Sequence, residues 1–151
     1  MYYARTRKNY IDVVRFLYIV LFLYAALMKG MDLGKFKAEL GQSPLLMAFA
    51  EWITWIVPAI EVVVVLMLII PGLVRLGLYS SFTLMSVFTF YIFMILNFSD
   101  SIPCSCGGIL EKMDWKMHLV FNVVFTGLAA TAIILIEDRS ELTRKASDNL
   151  I

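Results

Sequence analysis

The sequence predicts an all-α membrane protein built as a bundle of four transmembrane helices. Its composition is the first reason: 61% of the 151 residues are apolar and 17% are charged, whereas a soluble domain has about 45–50% apolar and about 25% charged residues. The second reason is that the apolar residues form four runs, each close to the roughly 20 residues that span a bilayer. Because lipid offers the backbone no hydrogen bonds, each run is expected to be a helix.

The four predicted spans are joined by three loops and followed by a polar tail, residues 137–151. The spans cover about 11–28, 47–70, 73–97 and 119–136. The first run has no small-x-small cleavage site after it, so it is predicted to be a retained span and not a signal peptide. The second run places Trp52 and Trp55 where a membrane interface suits them. The third is rich in small residues, which let helices pack closely.

The distribution of Lys and Arg predicts the orientation of the bundle. With four spans, both termini and the second loop share one side of the membrane, and that side carries more basic residues than the other. This bias places both termini and the tail in the cytoplasm of a bacterial inner membrane, with the third loop in the periplasm. The net charge of +1 gives no indication of a nucleic-acid partner.

The third loop contains the only two cysteines, Cys104 and Cys106, in the stretch "PCSCGG". Cα atoms two residues apart are separated by at most about 7 Å, near the upper limit for a disulfide, so a turn at Ser105 is needed to close the ring. Strained, accessible disulfides tend to be labile or catalytic. The pattern favours redox exchange, with Cys104 meeting a partner and Cys106 resolving. A static structural disulfide and a metal-binding or inert pair are the alternatives.

A polar stripe follows one face of the fourth span. His118, Asn122 and Thr126 recur at a spacing of four residues, which places them on one side of a helix. Polar side chains in membrane helices usually face the bundle interior. Thr126 is expected to hydrogen-bond between helices. His118 opens the helix at the depth of the cysteine loop, where it could take a thiol proton or relay protons to an electron acceptor; an interfacial histidine without a role is the alternative.

Glu61 is the costliest residue of the second span, since a charge at the bilayer centre costs about 2.5–3.5 kcal/mol on insertion scales. It is therefore expected to face the interior, either protonated or paired. Arg15 of the first span is a candidate partner, although Asp12 could satisfy that arginine instead. Glu61, Asn122 and Arg15 are predicted to form a polar interior, where a quinone headgroup could dock. A purely structural pairing of Glu61 is the alternative.

The first loop, "KGMDLGKFKAELGQSPLL", is predicted to contain a short amphipathic segment. Phe36 and Leu40 are four residues apart, and charged residues surround them, which is typical of a helix lying in the membrane interface. Such a segment could cover the cysteine loop or offer a docking face. Glu51, just beyond it, is expected to be solvated near the outer interface.

With these residues in view, the chain is similar to the MauE/DoxX-like family of redox-associated integral membrane proteins, in which MauE is the methylamine-utilisation member. The resemblance covers about residues 11–136. It is carried by the four spans, "KFKAEL" and "SPLL" in the first loop, "PAIE" in the second span, and "PCSCGG" followed by "W..H..FN". It implies a four-helix membrane protein that cooperates with periplasmic thioredoxin-like proteins in disulfide chemistry, with Cys104 and Cys106 as the redox pair and His118 and Asn122 in the matching positions after it.

Quinone-linked oxidants of the DsbB and vitamin K epoxide reductase type are a mechanistic analogy with one difference. Those proteins relay electrons between two cysteine pairs, and this chain has one pair. Any transfer to a quinone would therefore pass directly from Cys104 and Cys106.

The predicted function is thiol–disulfide exchange between this pair and a thioredoxin-like partner through a mixed disulfide, with His118 assisting proton transfer. One alternative is a non-enzymatic membrane subunit of a larger envelope complex, in which the disulfide only pins a loop. Another is a soft-metal carrier that binds Cu(I) or Hg(II) through Cys104, Cys106 and His118. No zinc site is predicted, because a C-x-C pair cannot supply four ligands.

Overall fold

The fold is a helical bundle, described by a computed structural model for residues 2–43, 46–98 and 114–148, with side chains for 5–43, 46–98 and 114–138. The helices are α1 Tyr2–Met31, α2 Leu33–Gln42, α3 Ala50–Ile69, α4 Val74–Phe98 and α5 Trp115–Asp148, with 3₁₀ turns at Met47–Phe49 and Pro71–Leu73. Four of them, α1, α3, α4 and α5, are long and apolar enough to cross a membrane. Over the described residues, the predicted all-α architecture is therefore confirmed, with four helices long and apolar enough to span a membrane.

The helices extend beyond the apolar runs from which the spans were predicted. The first run began at residue 11, but α1 already begins at Tyr2. The predicted tail also starts as a continuation of the fourth span, because α5 runs without interruption to Asp148. Charged residues end an apolar run but not a helix, since Lys, Arg and Glu have good helix propensity.

The four long helices make their main contacts with one another around the bundle. α1 and α4 both contact α3 and α5, so the order around the bundle is α1, α3, α4, α5. The core between them contains Tyr18 and Phe22 of α1, Leu68 of α3, Leu78 of α4 and Ala129 of α5. Large apolar side chains such as those of Phe16, Trp52 and Phe90 are exposed on the outside, as expected where lipid covers a bundle.

The two ends of the bundle differ in the chain segments and side-chain contacts found there. At the end that we call the termini end, Tyr10 of α1 contacts Thr131 of α5 through hydroxyl oxygens 2.7 Å apart, and Arg75 pairs with Glu137. At the opposite end, the loop end, α1 and α4 end while α3 and α5 begin. The chain passes from α4 to α5 there through residues 99–113. Both cysteines belong to that segment and lie outside the described residues.

α3 and α4 approach closely near the termini end because Gly77 has no side chain. A Cβ atom on Gly77 would lie 2.9 Å from Cδ2 and 3.1 Å from the backbone nitrogen of Leu68. Ser81 is buried one turn later and donates its hydroxyl to the Gly77 carbonyl at 2.8 Å. This contact fixes how near the two helices can come.

Candidate functional site

A buried ion pair joins α1 to α3 inside the bundle. Lys29, in the last turn of α1, places its Nζ 2.5 Å from Oε1 of Glu61. The Glu61 side chain is 0% exposed and that of Lys29 is 20% exposed. Glu61 therefore faces the interior and is paired. A paired side chain was one of the two states predicted for it, and a protonated side chain was the other. Its partner, Lys29, follows the first apolar run, so the sequence assigned it to the first loop and not to the bundle interior.

Two aromatic rings complete the surroundings of the lysine. The Nζ atom of Lys29 lies 5.7 Å from the ring centroid of Phe36 in α2 and 5.7 Å from that of Phe88 in α4. A cation within about 6 Å of a ring face is attracted by the ring quadrupole. The ammonium is thus held by groups from α2, α3 and α4 together.

The second oxygen of Glu61 is buried without a partner. Among the described residues, no group hydrogen-bonds Oε2, although it is shielded from solvent. Leaving a buried acceptor unsatisfied costs about 1–3 kcal/mol, and more for a charged group. This oxygen is therefore the point at which the site would gain most from a hydrogen-bond donor.

His118 and Asn122 reach the same region from α5. Asn122 is 3% exposed and donates its amide Nδ2 to the His118 carbonyl at 2.9 Å. The His118 imidazole is half-buried, and its ring centroid lies 6.1 Å from that of Trp115. Both residues face the bundle, as the stripe at spacing four predicted.

Thr126 continues that stripe as expected. Its hydroxyl donates to the Asn122 carbonyl at 2.8 Å and lies 3.4 Å from the hydroxyl of Thr89 in α4. The predicted interhelical contact is therefore present, and Thr126 serves packing between α4 and α5.

A cavity of about 520 Å³ unites these side chains in the half of the bundle nearest the loop end. Its polar lining includes Lys29, Glu61, His118 and Asn122. Most of the remaining lining is aromatic or aliphatic, including Phe22, Val57, Met85, Phe88, Trp115 and Phe121. A volume of this size lies within the range of about 300–1,000 Å³ that is usual for small-molecule sites. The arrangement can hold an apolar molecule with a polar end.

The amphipathic segment of the first loop forms α2 and covers this cavity. Asp32 caps the helix by accepting a hydrogen bond from the Lys35 backbone at 2.9 Å. Phe36 and Leu40 are buried against the start of α3 and also line the cavity. The apolar face predicted from their spacing is thus turned inward onto the bundle. Glu51, expected to be solvated, is exposed and pairs with Lys37 at 3.2 Å.

Arg15 does not belong to this site, so its predicted pairing with Glu61 is wrong. Its guanidinium donates from Nε to the Leu68 carbonyl at 2.5 Å and from Nη2 to the Ile69 carbonyl at 2.8 Å. These carbonyls end α3 at the termini end, where helix carbonyls lack intrahelical partners. A cation placed there also complements the helix dipole. Arg15 therefore caps α3. The pairing with Glu61, for which Arg15 was the candidate, is made by Lys29 instead.

We expect Arg15→Met to lower the free energy of unfolding by about 2–3 kcal/mol, because hydrogen bonds to a charged group are worth about 1.5–3 kcal/mol. Unfolding in mixed micelles of mild detergent and dodecyl sulfate measures this. Arg75→Met is the matched control, since the Arg75–Glu137 pair has side chains 58% and 33% exposed and such pairs contribute about 0–1 kcal/mol. Equal losses in the two variants would contradict the capping role.

Sequence comparison identifies the family. The family model described as methylamine utilisation protein MauE matches residues 7–135. This range includes α2, α3, α4, most of α1 and the first part of α5, and it contains all the residues that line the cavity. No curated protein and no solved structure matches the chain. The resemblance drawn from "PCSCGG" and the residues around it is confirmed at the level of the family.

Proposed function

Because the chain belongs to the MauE family, we propose that it is a membrane thiol–disulfide redox protein. In this proposal Cys104 and Cys106 exchange electrons with a thioredoxin-like protein in the periplasm, and the bundle lies in a bacterial inner membrane with its loop end outward. The observation that supports it most is the position of the cavity lined by Lys29, Glu61, His118 and Asn122. The cavity lies at the end of the bundle where the chain leaves Phe98 of α4 and enters Trp115 of α5.

The exchange proceeds by two substitutions at sulfur. A partner thiolate attacks Sγ of Cys104 in the Cys104–Cys106 disulfide, and Cys106 leaves as a thiolate. The second partner thiolate then attacks the partner sulfur of the mixed disulfide, so that the partner ends oxidised and this pair ends as a dithiol. In the reverse direction the same steps oxidise this pair.

His118 supports this chemistry by its place in the chain and in the cavity. It lies in the first turn of α5, just after the cysteine segment, and its ring is half-buried beside Trp115. An imidazole in this position can accept a proton from a thiol and return it to a leaving thiolate.

Trapping in cells tests the proposal. In Cys106→Ser the resolving thiol is removed, so we expect a reductant-sensitive adduct between Cys104 and a thioredoxin-like protein after acid quenching. Cys104→Ser gives the reciprocal trap, and the double serine variant is the control that must give no adduct. If neither single variant yields an adduct and the native pair stays fully oxidised in mild reductant, the non-enzymatic subunit with a structural disulfide replaces this proposal.

A further inference from the structure

The cavity lined by Lys29, Glu61, His118 and Asn122 has features that specify a small-molecule ligand. Such a ligand is additional to the proposed thiol exchange. Lys29 and Glu61 neutralise each other, so the buried ion pair itself offers no net charge that would favour an ion. The other charged lining residues, Asp32, Lys35 and Glu39, all belong to α2 or its N-cap. Most of the remaining lining is apolar, with aromatic rings from α1, α4 and α5 in Phe22, Phe88 and Phe121. Such rings pack favourably against another ring in stacked or edge-on arrangements. These features indicate a neutral, flat, lipid-soluble molecule.

The unpartnered oxygen of Glu61 indicates which polar group that molecule carries. Oε2 accepts hydrogen bonds and cannot donate one as a carboxylate paired with Lys29. A ligand that fills the site therefore needs a hydroxyl or amine hydrogen at this position. A carbonyl oxygen there would face the carboxylate oxygen and be repelled.

We propose that this cavity binds a membrane-soluble hydroquinone, with one ring hydroxyl donating to Oε2 of Glu61. The binding site stands on the cavity alone, whereas the redox role of the ring rests on the proposed thiol exchange. His118 and Asn122 lie on another wall of the cavity, where they can serve the second ring oxygen. A hydroxyl oxygen accepts hydrogen bonds as a carbonyl does, so those residues do not discriminate between hydroquinone and quinone; Glu61 does.

Binding the reduced ring more tightly favours electron flow from the thiols to the ring. When Cys104 and Cys106 close a disulfide they lose two electrons and two protons, and a quinone that gains them becomes the hydroquinone. If the hydroquinone binds tenfold more tightly than the quinone, the midpoint potential of the bound ring rises by about 30 mV for a two-electron couple. The direction proposed for this site is therefore oxidation of the dithiol.

Calorimetric titration of the purified protein in lipid nanodiscs, without oxygen, tests the binding. The probes are decyl-substituted benzohydroquinone, the corresponding quinone, the hydroquinone dimethyl ether and decanol. We expect the hydroquinone to bind at least tenfold more tightly than each of the other three, because a hydrogen bond to a buried carboxylate is charge-assisted and decanol lacks the ring. Equal affinities for hydroquinone and quinone, or for hydroquinone and decanol, overturn the assignment.

Glu61→Gln gives the sharpest variant. Lys29 still needs an acceptor, so the new amide carbonyl turns to Lys29 and the amide N–H faces the cavity. The preference should then shift at least tenfold towards the quinone, an effect that loss of stability alone does not produce. An unchanged ratio of the two affinities contradicts the role of Glu61.

A second pair of variants tests the cavity without touching the ion pair. Val57 lines the cavity one turn before Glu61, and Val57→Trp is expected to weaken all ring binding at least tenfold. Val63→Trp is its control, because Val63 is 52% exposed on the outside of the same helix; its binding should match the native protein. Similar affinities in both variants would place the ligand elsewhere.

Repeating the titration with both cysteines replaced by serine separates this inference from the proposed function. Binding there with the same preference supports the site even if trapping fails. Loss of binding there, with the helical content retained, overturns a site built from the cavity alone.

Discussion

Lys29→Met is expected to lower the free energy of unfolding by about 3–5 kcal/mol, the typical result of breaking a buried ion pair by removing one partner. The variant leaves Glu61, whose side chain is 0% exposed, without its counter-ion among apolar neighbours. It also removes the contacts of the ammonium with the rings of Phe36 and Phe88. Unfolding in mixed micelles, followed by helical circular dichroism, measures the change.

Glu61→Gln should cost less than Lys29→Met, because Lys29 is 20% exposed and can extend its ammonium towards the interface. Replacing both residues, as Lys29→Met with Glu61→Met, should recover most of the loss, since neither charge is then left unpaired. Such a double variant keeps the bundle but loses the proposed hydroquinone preference. If both single losses simply add in the double variant, the pair does not act as a unit.

Lys37→Met is the matched control for this experiment. Lys37 also pairs with a glutamate of α3, but the side chains of that Lys37–Glu51 pair are 53% and 78% exposed. Exposed pairs contribute about 0–1 kcal/mol. A loss close to that of Lys29→Met would mean that any lysine near the loop end matters, and that burial of the pair does not.

Gly77→Val is expected to destabilise the bundle by about 3 kcal/mol, at the upper end of the range for overpacking. The Leu68 side chain could rotate away from a new Cβ, but the Leu68 backbone nitrogen, 3.1 Å from it, cannot. α4 must therefore move away from α3, which also disturbs the Leu68 carbonyl that Arg15 caps. The mid-point of unfolding in dodecyl sulfate should fall accordingly.

Gly127→Val is the control for the effect of the side chain itself. Gly127 lies in α5 with nothing within 4 Å of the position of a Cβ atom, so the change should stay within about 0.5 kcal/mol. Comparable losses at the two glycines would show that helix propensity, and not the α3–α4 approach, causes the effect at Gly77.

The sequence predicted which segments form helices better than it predicted how those helices are offset along the bundle axis. Apolar runs locate spans because lipid requires every backbone group to be bonded within a helix, and a spacing of four residues assigns Asn122 and Thr126 to one inward face. The same spacing located α2, since Phe36 and Leu40 both face inward. Helical periodicity thus establishes which side of each helix is buried.

Periodicity does not establish which residues of two helices meet. Arg15 and Lys29 both lie in α1, and choosing between them as the partner of Glu61 requires the rotation and axial offset of α1 against α3. Lys29 was missed because it follows the apolar run and counts as a loop charge by sequence. Its neighbours offered one signal, an aromatic residue at position 36 beyond a capping aspartate at position 32, which brings a ring back over the end of α1.

The contact between Phe36 and Lys29 links the outer surface of the protein to its interior charge. α2 follows α1 after the single residue Asp32, and the Phe36 ring lies 5.7 Å from the ammonium that holds Glu61. Moving α2 outward would admit water beside the ion pair, and the higher dielectric would weaken the attraction between its charges. If a molecule that binds the outer face of α2 moves this helix, thermodynamic linkage requires that it and a ligand of Glu61 alter each other's affinity by the same factor.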